Sequence, residues 1–456
     1  MSISPARTAA FDILLRIERQ DAYASELLHS NPYAKLSAAD HGLATELVMG
    51  ALRWQSRLDA EIGRFSDKGV AKLDIEVLTA LRLAAYQLLF LDRIPQRAAV
   101  HESVELVKRA HKVSAAPFAN AVLRKLAGSS STVGAANPIS DPDQPSKFDA
   151  AGLGGAADLS QKLAHPLWLV ERWARQVGLK RAWQICTYDQ RPPAAAIRFS
   201  DRGTEEELKR DGIELAPGQL LASARQVRAG NISTTRAFAE GRVAIQDEAS
   251  QLVALLVGKG TRILDCCAAP GGKTRVLAER NPEAGIVALE LHPHRARLLR
   301  KLVPSANVEV INADVLDFTT SATFDRVLAD VPCSGTGTLA HNPEIKWRLQ
   351  PGDLVDLQGR QLAILRAAMH RVAAGGRLVY STCSLEPEEN EEVVEKALSG
   401  QTEFSVLNCR LELEHLRAEG ELAWNDLDSL ASGRFLRTIP GMHPCDGFFV
   451  AILQKN

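Results

Sequence analysis

Two cysteines in this chain stand where a thiol could attack a substrate. Cys333 lies in the run DVPCSGTG and Cys383 in VYSTCSLEPEEN. Each comes just after a stretch, residues 324–329 and 377–380, that reads as a buried strand. In an open α/β sheet the ends of neighbouring strands line one crevice, and ligands bind there. Two thiols at two such ends could therefore face one substrate. A third strand end, ILDCCAAPGGKT from Ile263 to Thr274, supplies a glycine-rich turn for a cofactor. One thiol to attack a ring, a second to assist and a cofactor turn together point to methylation of a base through a covalent intermediate.

The chemistry shows why these residue types are needed. Cytosine C5 is too poor a nucleophile to take a methyl group unaided, and a thiolate adding at C6 turns the ring into an enamine. A proton or hydrogen bond at N3 helps that addition, and Asp330, three residues before Cys333, is placed to supply it. A cysteine is only a few per cent thiolate at neutral pH, so the site should stabilise the anion. The C5 proton must then leave before the thiol is eliminated, a step that a second cysteine can assist. The remaining cysteines carry weaker signals, since a free cysteine is more often a small buried hydrophobe than a nucleophile. That is the reading for Cys186, Cys409 and Cys445. Cys266 is expected to point into the core, and Cys267 to lie beside the cofactor through its backbone.

In the cofactor turn, Gly271 and Gly272 let the backbone approach a ligand, and the N-terminus of the helix that follows favours an anion. A Walker loop would need glycine at 267, where this chain has Cys267, and a G-x-G-x-x-G run is missing, which counts against a nicotinamide enzyme. Glu290 closes the next strand, 25 residues after Asp265, where an acid can bond ribose hydroxyls. Asp314 ends the third strand, where it can meet an adenine amino group, and Asp330 ends the fourth. Acids at four successive strand ends suit a nucleoside with a positively charged sulfonium, and S-adenosyl-L-methionine is such a ligand. An Asp at a strand end is also often only a turn cap, and for Asp314 both readings stand.

These residues need a scaffold. From 246 to 456 the chain repeats strand, turn and helix through TRILDC, GIVALEL, NVEVINA, FDRVLAD and GRLVYST, which predicts an α/β fold with a doubly wound parallel sheet. RFLRTIP and DGFFVAILQK follow as strands at the end of that sheet. Residues 160–245 read as a small mixed α/β insert, and 129–159, rich in Gly, Ser and Pro, as a flexible linker. Residues 1–128 read as a bundle of short helices. Leu78, Leu81, Leu83, Tyr86, Leu88, Leu89 and Leu91 form one strongly apolar helix, and Val100, Val104 and Val107 stripe another.

The whole chain sets wider bounds. Its 456 residues allow two or three domains, and 46% hydrophobic with 24% charged residues is ordinary for a globular protein. Seven cysteines without paired C-x-x-C spacing argue against a disulfide scaffold and against a metal site. The N-terminus has no signal-peptide core, and no run reaches the ~18 apolar residues of a spanning helix. The expectation is a cytoplasmic protein, by default a monomer, with no membrane and no metal. The net charge of −1 does not announce a nucleic-acid binder. Residues 1–130 hold 17 Lys and Arg against 14 Asp and Glu, so a phosphate-binding surface would be a local patch.

DVPCSGTG, NPEIKW and STCSLEPEENEEVV resemble the signature segments of RNA cytosine-C5 methyltransferases of the Sun (Fmu, RsmB) type, and the resemblance covers nearly the whole chain. RLAAYQLLFLDRIPQRAAVHESVELVK and FANAVLRKL are similar to the NusB-like RNA-binding domain that precedes the catalytic domain in the bacterial enzymes. The resemblance implies a Rossmann-like class I methyltransferase sheet behind an all-α NusB-like domain (1–128), with the catalytic domain at 246–456 and RNA binding by the 160–245 insert. It implies Cys383 as nucleophile, Cys333 as the aid to product release, and cofactor contacts from Cys267, Ala268, Ala269, Pro270, Gly271, Gly272, Lys273, Glu290, Asp314 and Asp330. It further implies 16S ribosomal RNA as partner, with 5-methylcytidine as product. Glu290 stands where the family usually has Asp, and His341 where it has Arg. Lys346 and Arg348 are candidate RNA contacts, and Trp347 reads as a packing residue ahead of a stacking one. The acidic run Glu386, Glu388, Glu389, Glu391 and Glu392 reads as a solvated helix start, and Asn390 as a support for the active-site turn. The alternatives are the same chemistry on transfer RNA, another RNA or DNA, and a non-catalytic RNA-binding or ribosome-assembly factor.

Overall fold

The computed structural model describes residues 3–20, 22–28, 30, 32–33, 35–130, 154–199 and 201–456. They form two compact units. The first comprises Met1–Pro192 with Leu339–Arg348, the second Pro193–Thr338 with Leu349–Asn456. This division departs from the expected boundaries at 128, 159 and 245. Most of the expected linker, 131–153, lies outside the described residues. The expected mixed insert is split. Its first part lies in the first unit with helices Leu167–Val177 and Leu179–Asp189, after a helix Ala156–Lys162 that begins inside the expected linker, and Leu159, Leu169, Val170 and Trp173 are buried. Gln190 after them donates Nε2 to the carbonyl of Arg53 at 2.8 Å, which fastens this part to the N-terminal bundle.

The bundle comprises helices Pro5–Gln20, Ala24–Leu28, Ala38–Arg53, Gln55–Phe65, Ile75–Phe90, Gln96–Arg109 and Ala116–Ser130. Ile75–Phe90 is buried over almost its whole circumference, as a helix apolar on all sides must be. Arg82 and Gln87, which interrupt its apolar surface, are buried and paired. Arg82 holds both carboxylate oxygens of Asp59 at 2.7 Å, and Gln87 accepts from Arg7 Nε at 2.7 Å. Gly50 lets helix Ala38–Arg53 close on it, because a Cβ there would lie 1.9 Å from Cζ of Tyr86. The stripe on Gln96–Arg109 is rotated from the expected valines. Ala99, Ser103, Leu106 and Val107 are buried, and Val100 and Val104 only half so.

In the second unit a small antiparallel sheet comes first, with β1 (Ala196–Phe199), β2 (Glu214–Pro217), β3 (Arg225–Ala229) and β4 (Val243–Ile245) in the order β2-β3-β1-β4. The main sheet contains β5 (Arg262–Asp265), β6 (Gly285–Glu290), β7 (Val308–Asn312), β8 (Phe324–Asp330), β9 (Val372–Thr382), β10 (Phe404–Val406), β11 (Ala431–Ser432), β12 (Phe435–Thr438) and β13 (Phe448–Lys455). Its order is β11-β12-β13-β9-β8-β5-β6-β7, with β10 against β13. β5 to β9 pair in parallel, and β13 lies antiparallel to β9. Both faces are covered. Ile263, Leu328, Val379, Val450 and Ile452 enter one core, and Leu264, Val327, Ala329, Leu378, Tyr380 and Phe449 the other. A strand buried on both faces reads as an unbroken apolar run, which is why these strands are visible in the sequence. Chain order reverses between β5 and β8, and such a switch point opens a crevice at the strand ends.

Candidate active site

β8 and β9 leave the sheet side by side, with Asp330 level with Ser381. Cys333 is three residues past the first and Cys383 two past the second, so the thiols meet with sulfurs 3.2 Å apart. Both are partly exposed. The two turns are stitched to one another. Val331 N–H donates to Ser381 O at 3.0 Å, and Gly337 N–H to Cys383 O at 2.9 Å. Cys383 N–H points at Cys333 Sγ at 3.3 Å, and Leu385 N–H at Thr336 Oγ1 at 2.9 Å. The hydrogen bond with Cys383, burial and the charge of Glu389 together push the Cys333 thiol well above its ordinary range. Cys333 therefore keeps its proton.

Asp330 accepts from Lys273 Nζ at 2.7 Å and from Ser381 Oγ at 2.7 Å. Lys273 is aimed there by the first turn of helix Gly272–Arg280, with its ammonium 4.9 Å from the Phe448 ring centre. Burial opposes its charge, but Asp330, Cys383 and Asp265 outweigh burial and hold the ammonium above its ordinary range. Before that helix the chain turns through a cis Ala269–Pro270 bond into Gly271 at φ +117°. A Cβ on Gly271 would lie 2.7 Å from both Leu299 and Val303, so the turn admits no side chain. No side chain caps the helix start. Asp265 beneath the turn is buried and accepts from Thr274 Oγ1 at 2.7 Å, and burial pushes its carboxyl up to about 6. Cys266 faces the core as expected. Glu290 Oε1 accepts from His292 N–H at 2.7 Å. Asp314 caps its own turn, accepting from Leu316 N–H at 3.0 Å.

Comparison with known proteins fits this geometry. Residues 252–454 match the family described as 16S rRNA methyltransferase RsmB/F, and residues 4–128 match the NusB family. The chain is 33% identical over 472 residues to a probable ribosomal RNA small subunit methyltransferase B of Bacillus subtilis, covering 100% of each. The chain belongs to the RsmB/F family of RNA methyltransferases. The ribosomal RNA small subunit methyltransferase B of Pseudomonas syringae pv. tomato is 33% identical over 399 residues, with 82% of each chain covered. The crystal structure of PH0851 shares the fold, with a TM-score of 0.78, 24% identity and 100% of both chains covered.

Within this RsmB/F chain the two expected RNA contacts, Lys346 and Arg348, take other places. Lys346, Trp347 and Arg348 form a short helix, Ile345–Arg348, in the first unit. Lys346 is buried and donates Nζ to Arg53 O at 3.0 Å, so it has no surface to offer a phosphate. Arg348 donates to the carbonyls of Ile17 and Ala22 at 2.8 and 2.6 Å, and Trp347 Nε1 to that of Leu52 at 2.6 Å. Trp347 is the packing residue expected. The acidic run is not a solvated helix start throughout, because Glu386 and Glu389 are fully buried. Asn390 does support the turn, donating Nδ2 to Ser384 O at 2.9 Å and accepting from Thr382 Oγ1 at 2.5 Å. Sequence reasoning missed the pairing of Lys273 with Asp330 and the roles of Ser334 and Ser384. The repeated Cys-Ser dipeptide was the available signal. Among the described residues there is no metal-holding group of three or more His, Cys, Asp and Glu, and no helix long and apolar enough to cross a membrane.

Proposed function

We propose that this methyltransferase acts on C5 of a cytidine in 16S ribosomal RNA, through a covalent bond between Cys383 and C6 of the ring. The observation that carries the reading is the pair of thiols 3.2 Å apart at two adjacent strand ends, beside Asp330. The names of the Bacillus and Pseudomonas relatives support the small-subunit RNA as substrate. The glycine turn from Cys267 to Lys273, with Glu290 and Asp314 at the next strand ends, fits S-adenosylmethionine. That group supplies, when bound, an electrophilic methyl on a positive sulfonium.

Cys383 adds to C6 and shifts the ring electrons to C5. Asp330, 2.7 Å from Lys273, relays a proton from that ammonium to N3 as the ring takes up charge, and returns it to Lys273 when the ring becomes aromatic again. This refines the expectation that Asp330 is itself the acid, because its carboxylate is ion-paired. The C5 proton leaves to water, and its electron pair forms the C5=C6 bond and expels the sulfur from C6. The Cys333 thiol gives its proton to the departing Cys383 sulfur and regains one from solvent. The NusB-like unit adds RNA affinity to a site that captures an unpaired base.

The test is methyl transfer from labelled S-adenosylmethionine to deproteinised small-subunit RNA, with nucleoside analysis. Label should appear as 5-methylcytidine and vanish in Cys383→Ala, while Cys333→Ala should accumulate a covalent protein–RNA complex. Full activity of Cys383→Ala would overturn the assignment.

A further inference from the structure

Glu389 has no part in the steps above, yet it lies between the two thiol turns. It is fully buried at the end of the short turn Pro387–Glu389. Its Oε1 accepts from Ser334 N–H at 2.7 Å and from Gln361 Nε2 at 2.8 Å. Its Oε2 accepts from the hydroxyls of both Ser334 and Ser384, which lie 3.0 Å from each other. Ser334 directly follows Cys333, and Ser384 directly follows Cys383. Gln361 extends the link by donating also to Pro332 O at 3.0 Å, and the Glu389 carbonyl accepts from Tyr380 at 2.6 Å. All four donors to the carboxylate are neutral. A buried carboxylate is ordinarily held by a cation. Here it is held by the two turns that carry the thiols, and a single oxygen spans both.

We propose that Glu389 is a positioning residue for methyl transfer, which sets the spacing of the Cys333 and Cys383 sulfurs by clamping Ser334 and Ser384 together. The inference rests on the covalent reading above. Spacing matters because a misplacement of about 1 Å at reacting atoms lowers the rate on the order of 100-fold. Glutamine can keep the clamp, because serine hydroxyls accept as well as donate and can turn to face an amide. Alanine leaves the turns unlinked, and aspartate is one methylene too short to reach both.

Sulfur spacing can be read without RNA or cofactor. Phenylarsine oxide bridges two close thiols, forming two As–S bonds while its oxygen leaves with both thiol protons as water. The full-length wild type should capture one arsenical across Cys333 and Cys383, seen by intact mass and peptide mapping. Glu389→Ala should capture it at least about 10-fold more slowly, while each thiol still reacts singly with N-ethylmaleimide. Its kcat should fall about 100-fold with both KM values unchanged. Glu389→Gln should restore capture and kcat to within about 3-fold of wild type. Wild-type capture by Glu389→Ala overturns the proposal, and so does a Glu389→Gln as impaired as the alanine variant, which would assign the effect to charge. If Glu389→Ala does not fold, Ser384→Ala removes one arm and is judged by the same capture rate. Slowed capture in a protein whose wild type methylates no RNA would sink the functional reading and leave the clamp standing. Active wild type with unaltered capture in Glu389→Ala would sink only the clamp.

Discussion

Replacing Lys346 by methionine should stabilise the first unit, and should do so in a pH-dependent way. Burial pushes the Lys346 ammonium down to about 7, against the attraction of Asp189 and Cys186 and with Arg53 adding repulsion. In the unfolded chain it titrates near ~10.4. Between those values the unfolded chain binds a proton that the folded chain does not, so wild-type stability should rise as pH climbs from about 7 to about 10. The displacement of roughly three units corresponds to a penalty of roughly 4 kcal/mol at neutral pH. Methionine removes that penalty and loses one hydrogen bond worth about 1 kcal/mol. Arg53 O is not orphaned, since Gln190 still donates to it at 2.8 Å. The net expectation is a gain of about 2–3 kcal/mol at pH 7 that fades toward pH 10. Tryptophan fluorescence during urea unfolding is a suitable probe, because Trp54, Trp168, Trp173, Trp183 and Trp347 all belong to this unit and only Trp424 to the other. RNA affinity and its salt dependence should not change. Parallel pH profiles for the two proteins, or a variant less stable at pH 7, would refute the burial argument. A fall in RNA affinity with a flatter salt slope would return Lys346 to the role of a phosphate contact.

Gly271→Ala places a methyl 2.7 Å from Leu299 and Val303 at φ +117°, and should distort the turn at a cost of about 1–3 kcal/mol. The KM for S-adenosylmethionine should rise about 10-fold or more, with alkylation of Cys383 by iodoacetamide unchanged; an unaltered KM would remove the turn from the cofactor site. Deleting residues 1–128 strips Trp347 and Arg348 of their partners at Leu52, Ile17 and Ala22 and leaves Lys346 without Arg53. The product should therefore be destabilised or insoluble; a stable protein with full methyl transfer would contradict that dependence.

What the sequence determined by itself is what local pattern can carry. Apolar runs buried on both faces marked the strands, Gly271 and Gly272 marked the turn, and the cysteines after two strands marked the candidate thiols, because each depends on a few adjacent residues. The fates of Lys346 and Glu389 were not legible. As members of EIKWR and PEENEE they read as charges for solvent or phosphate, and burial among residues distant in the chain decided otherwise. Charge carries no local mark of burial, since whether a charged group is solvated depends on what packs against it. The division of the chain was hidden for the same reason, because 339–348 reads as part of the sheet region and is claimed by carbonyls of a helical bundle some 300 residues earlier. The thiol pair needed both kinds of information. The sequence named Cys333 and Cys383, and only the parallel register that sets Asp330 level with Ser381 brought sulfurs 50 residues apart to within 3.2 Å.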